Sequence, residues 1–137
     1  MFRFTLPRDI YAGYGAIEKL AVLKGHKRAF ICTGGHSMRR GGFLQKAEKV
    51  LKDNGMETRI MEGIAPDPSI EAVREGAKAM SEFQPDVIVA IGGGSPIDAA
   101  KAMWVFYEHP ELSFDDVKKP FSLPPLRQKA IFVAIPF

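Results

Sequence analysis

In Val87-Ile88-Val89-Ala90-Ile91-Gly92-Gly93-Gly94-Ser95-Pro96-Ile97-Asp98-Ala99-Ala100-Lys101 an unbroken apolar run meets three glycines and then the signature of a helix start. An apolar run of this length reads as a strand buried on both faces, which is the habit of parallel sheets covered by helices. Ser95 is the expected N-cap, Pro96 the first helical residue, and Asp98 lies three residues past the cap in a capping-box position. Strand, tight turn and helix are thus written into fifteen residues. Three glycines remove the Cβ atoms that hold a ligand off the backbone and permit positive φ, so successive N–H groups can converge on an anion. The helix behind them aims its unpaired N–H groups and the positive end of its dipole at the same point. A phosphate fits there, and the pyrophosphate of a dinucleotide is its natural form at the carboxyl end of a parallel strand. A tight turn without a ligand is the alternative.

Working outward, two more apolar runs share this character: residues 29–33 (Ala-Phe-Ile-Cys-Thr) and 130–135 (Ala-Ile-Phe-Val-Ala-Ile). Residues 43–54 place Leu44, Ala47, Val50 and Leu51 at three- and four-residue spacings and stop at Gly55, which predicts an amphipathic helix with a glycine terminator. Ser69 is the expected cap of a second helix, with Ile70, Val73, Ala77 and Met80 on one face up to the Gln84-Pro85-Asp86 break. Residues 57–62 alternate and predict a strand. The order strand, helix, strand, helix, strand, helix predicts an α/β fold with a Rossmann-like parallel sheet, flanking helices and right-handed crossovers. Residues 2–6 predict an entry strand, residues 16–23 a short helix, and residues 110–125 a long excursion before the last strand.

The chain has 137 residues, 46% hydrophobic and 26% charged, which suits one globular domain over residues 1–137. Its net charge of +3 is spread along the sequence, with no basic stripe for nucleic acid. Cys32 is the only cysteine, so neither an intrachain disulfide nor a cysteine-based metal cluster is available within one chain. No apolar run approaches the about 20 residues of a membrane helix, and the first residues lack a signal-peptide core. A cytoplasmic location is the expectation.

Gly-Gly-Gly-Ser-x-x-Asp-x-x-Lys matches neither Gly-x-Gly-x-x-Gly nor the P-loop. It resembles the cofactor motif of the iron-dependent (group III) alcohol dehydrogenases, relatives of glycerol dehydrogenase and dehydroquinate synthase. The resemblance extends over residues 7–15, with their aromatic-Gly-x-Gly character, Pro66-Asp67-Pro68-Ser69, and residues 102–110, and so covers essentially the whole chain. It implies the N-terminal domain of the dehydroquinate synthase-like fold, with Gly92, Gly93, Gly94 and Ser95 holding the pyrophosphate, Asp98 near the nicotinamide side and Lys101 supporting the same helix turn. Each has a plainer reading: a capping carboxylate for Asp98, a solvated helix face for Lys101.

In that family, members preferring NAD place an acidic residue after the strand equivalent to residues 29–33. Here Gly34-Gly35-His36-Ser37-Met38-Arg39-Arg40 follows, without a carboxylate. Glycine leaves room for a 2′-phosphate, and His36, Ser37, Arg39 or Arg40 could donate to it, so Gly34, Gly35 and Ser37 join the candidate cofactor residues and NADP is favoured over NAD. The two arginines could equally be solvated loop charges. The resemblance further implies a Thr-Thr-x-Gly-Thr-Gly-Ser-Glu segment after the last strand, and a helical second domain supplying an aspartate and three histidines to divalent iron or zinc. Neither is found in these residues, so the chain alone is expected to have no metal ligands, no catalytic residue and no dehydrogenase activity, and to expose apolar surface that invites homo-oligomers. The parent would interconvert primary alcohols or diols and aldehydes. Other readings are a nucleotide-binding or assembly module without catalysis, the domain of a glycerol dehydrogenase-like enzyme, or a dehydroquinate synthase-like cyclase.

Overall fold

Five parallel strands form one sheet in the order β1-β5-β4-β2-β3, where β1 is Asp9–Ile10, β2 Arg28–Thr33, β3 Glu57–Met61, β4 Val87–Gly92 and β5 Ile131–Pro136. The structure is a computed structural model and describes residues 9–10, 25–35, 42–65, 68–112 and 129–136. The expected strand at 2–6, the helix at 16–23, and most of the 110–125 excursion lie outside those residues, as do His36, Ser37, Arg39, Arg40, Pro66 and Asp67.

Alternation along the buried strands sorts the core into two layers. Ala29, Ile31, Val87, Val89, Ile91, Val133 and Ile135 face α1 (Phe43–Asp53), which contributes Leu44, Ala47 and Leu51. Phe30, Cys32, Ile88, Ala90, Phe132 and Ala134 face α2 (Ile70–Phe83) and α3 (Gly94–Glu108). A sheet covered on both faces explains why β4 is buried at every position and reads as an unbroken apolar run. Burial of each large aliphatic chain contributes roughly 1.5–3 kcal/mol.

Local signals set most helix ends where expected. Ser69 Oγ accepts the Ala72 N–H at 3.1 Å, capping α2, and Gly55 takes φ +81° just past α1. The start of α3 differs. Its cap is Gly93 in extended conformation, with no side-chain cap, and the helix begins at Gly94 rather than at Pro96. Ser95 is therefore inside the first turn, and Asp98 cannot be its capping-box partner. Proline still fits, because the N–H it lacks is among the first four, which have no intrahelical acceptor in any case.

Two carboxylates align the sheet from its amino edge. Asp86 accepts the N–H groups of Lys27 and Arg28, each at 2.9 Å, tying the start of β2 to the start of β4. Buried Glu108, at the end of α3, accepts the N–H groups of Lys129 and Ala130, each at 2.9 Å, and Trp104 Nε1–H donates to Ala130 O at 3.1 Å. With the amino ends held, Thr33 falls opposite Ile91 and Pro136 opposite Gly92 at the carboxyl edge.

Candidate cofactor-binding site

The chain leaves β2 through α1 on one face toward β3, and leaves β4 through α3 on the other face toward β5. Because β2 and β4 are neighbours, their outgoing connections diverge and open a crevice at the carboxyl edge. That is the topological switch point, where open α/β sheets bind ligands. Its two lips are Gly34-Gly35 and Gly92-Gly93-Gly94, so the topology brings together the glycines singled out in the sequence.

Each glycine has its own reason. Gly92 takes φ +138°, a conformation that side chains disfavour. Gly35 also has positive φ, +55°, and among the described residues nothing lies within 4 Å of a Cβ placed there. Gly34 is packed: a Cβ would sit 2.7 Å from Pro96 Cγ and 3.1 Å from Ile64 O. The space at Gly34 is thus taken by the chain itself, a correction to the reading of that glycine as room for a phosphate. The open space adjoins Gly35.

Gly93 is the informative one. Its φ of −75° suits any residue, it is exposed, and a Cβ there meets nothing within 4 Å. Neither backbone conformation nor packing within the described residues requires glycine, whereas a backbone that a diphosphate must approach closely does. The first helical bond runs from Ile97 N–H to Gly93 O at 3.4 Å, which leaves the N–H groups of Gly94 and Ser95 without intrahelical acceptors. The chain's own residues therefore fit the diphosphate of a dinucleotide.

Asp98 is exposed in the second turn of α3, and Lys101 is half-buried rather than on a solvated face. Sequence reasoning did not reveal that Thr33, the last residue of β2, buries an unpartnered hydroxyl, or that Pro96 packs against Gly34. A threonine closing an apolar strand beside a glycine pair is the only trace of the first in the sequence. Among the described residues no three of His, Cys, Asp and Glu come together as metal ligands. Ile70, 44% exposed, is the one large apolar side chain found exposed among the described residues. No helix among them is long and apolar enough to cross a membrane.

A doubly wound parallel sheet with a glycine-lined crevice at its switch point defines a nucleotide-binding α/β domain. Residues 7–136 match the family model of the iron-containing alcohol dehydrogenases, and the chain belongs to that family. It is 60% identical over 136 residues to the NADPH-dependent butanol dehydrogenase of Clostridium saccharobutylicum, covering 99% of this chain and 35% of that protein. It is 38% identical to the bifunctional aldehyde-alcohol dehydrogenase AdhE of Escherichia coli K12, covering 98% of this chain and 16% of the relative. The iron-containing alcohol dehydrogenase structure from Thermococcus thioreducens superposes with a TM-score of 0.83 at 40% identity, covering 98% of this chain and 36% of that one. The chain thus spans about a third of the length of that butanol dehydrogenase and of that structure.

Proposed function

We propose that residues 1–137 are the dinucleotide-binding domain of an NADP-preferring, iron-dependent alcohol dehydrogenase that interconverts primary alcohols or diols and aldehydes. The observation that carries this reading is Gly93, a glycine whose Cβ space is empty and whose backbone is ordinary, set between a buried strand and a helix start. Gly92, Gly93, Gly94 and Ser95 hold the diphosphate through main-chain N–H groups, and Gly34, Gly35 and Ser37 lie toward the adenosine ribose. Asp98, one turn along α3, lies on the nicotinamide side. When bound, the dinucleotide gives or takes the hydride.

Preference for the 2′-phosphorylated cofactor is supported by the lack of a carboxylate at the end of β2 and by a 60%-identical relative named as NADPH-dependent. No metal-ligand cluster is found among the described residues, and the partner of this domain is the nicotinamide dinucleotide. A reducing cytoplasm suits the buried free Cys32, and self-association belongs to the same proposal. Titration of the full chain with NADPH and NADH, read by energy transfer from Trp104 in α3, tests it. NADPH should bind at least tenfold more tightly, about 1.4 kcal/mol. A tenfold preference for NADH overturns the 2′ assignment, and binding of neither overturns the cofactor assignment.

A further inference from the structure

Thr33 ends β2 at the crevice and is 1% exposed. Among the described residues its Oγ1 is the buried side-chain oxygen or nitrogen found without a hydrogen-bond partner. An unpaired buried hydroxyl destabilises a fold, and valine has the same shape with no polar atom. Packing alone therefore gives no reason for threonine here.

Its position is specific. Thr33 lies opposite Ile91, the residue before Gly92, and precedes Gly34, which touches Pro96 at the start of α3. Ala29 and Ile31 pack against α1, so alternation puts Thr33 on the α1 side of the sheet, near the start of that helix. That start has Gly42 as its cap, with no side-chain cap and no acidic residue in its first turn. An oxygen-rich ligand group entering between the two glycine lips meets no carboxylate from this helix turn.

We infer that Thr33 is a cofactor-positioning residue whose hydroxyl bonds an oxygen of the adenosine ribose, either a ribose hydroxyl or the phosphate on the 2′ position. This rests on the dinucleotide reading above. The hydroxyl is covered in the free chain, so the contact requires the chain at Gly35, just past the packed Gly34, to yield. Among the described residues nothing lies within 4 Å of a Cβ built on Gly35.

Three forms of the full chain test the inference: unsubstituted, Thr33→Val and Thr33→Ser. NADPH and NADH titrations are paired with thermal unfolding in the absence of cofactor. Thr33→Val should weaken NADPH binding about tenfold or more, Thr33→Ser should largely restore it, and the ligand-free Thr33→Val chain should unfold at the same or a higher temperature. Loss confined to NADPH assigns the contact to the 2′-phosphate, and equal loss for both cofactors assigns it to a ribose hydroxyl. If Thr33→Val binds as tightly as the unsubstituted chain, or loses binding only along with stability, the hydroxyl is not a cofactor contact and the inference fails. If the unsubstituted chain binds neither cofactor, the failure lies in the dinucleotide reading itself, and the inference falls with it.

Discussion

The ring of Pro96 occupies the place where a side chain on Gly34 would begin, with Cγ 2.7 Å from the position of the missing Cβ. The end of β2 and the first turn of α3 are thereby locked together across the mouth of the crevice. Gly34→Ala should destabilise the chain by about 1 kcal/mol or more, because a ring carbon and the Ile64 carbonyl cannot both retreat without strain. Adding Pro96→Ala should recover most of the loss, and thermal unfolding of the two single variants and the double variant measures the coupling. Purely additive losses would show that the two residues do not press on each other.

Gly93 should behave in the opposite way. With φ −75° and no atom of the described residues within 4 Å of its Cβ position, it takes a β-carbon without a clash. Gly93→Val should therefore leave the unfolding temperature within the range of ordinary surface substitutions, about 0.5 kcal/mol. NADPH affinity should drop below detection, because the branched side chain stands where the diphosphate must lie. Retained affinity in a folded Gly93→Val chain would make the turn structural.

The contrast between these two glycines shows where sequence legibility ends. Periodicity revealed α1, α2 and the buried strands, because each carries its packing face in its own residues: Leu44, Ala47 and Leu51 in α1, Val73, Ala77 and Met80 in α2. The glycine triplet likewise revealed the turn between β4 and α3 locally. The reason for Gly34 lies in Pro96, far along the chain, and no local pattern carries it. Strand order is a tertiary fact too, so the switch point between β2 and β4 emerged only from the sheet. At α3 the cap signal itself misled: Ser95-Pro96 is a common helix opening, but an extended Gly93 lets the helix start earlier and tolerates proline within the first turn.

Alkaline pH should destabilise the fold. Burial pushes the Cys32 thiol from 9.0 up to about 12. Burial first, then the neighbouring Glu108 and Asp86 charges, push the Tyr107 hydroxyl from 10.0 up to about 12. Both groups stay protonated in the folded chain while the unfolded chain releases the protons. Stability is therefore complete below about pH 9 and falls as pH rises toward 12, by up to about 1.4 kcal/mol per pH unit for each proton. Denaturant titrations from pH 8 to 11 measure the slope, and Cys32→Ala should flatten its first part. The same burial predicts that a thiol reagent labels Cys32 only after unfolding; rapid labelling of the native chain would contradict it.

Glu108 holds β5 in place through one carboxylate oxygen that accepts two main-chain N–H groups, from Lys129 and Ala130. Hydrogen bonds to a charged acceptor contribute about 1.5–3 kcal/mol each before couplings, and removing the acceptor leaves two donors short of a partner. Glu108→Gln keeps an oxygen but loses the charge, and should cost about 1–2 kcal/mol. Glu108→Ala should cost more, about 3 kcal/mol, since it also removes a buried side chain. Stability alone cannot separate a clamp from general packing, so the decisive readout is hydrogen exchange at the two amides. Exchange at Lys129 and Ala130 should accelerate more in Glu108→Ala than exchange in the centre of β4, because local opening at the start of β5 no longer breaks two bonds to a carboxylate. Equal acceleration across the sheet would mean that Glu108 supports the core as a whole and does not anchor the strand whose far end lies beside Gly92.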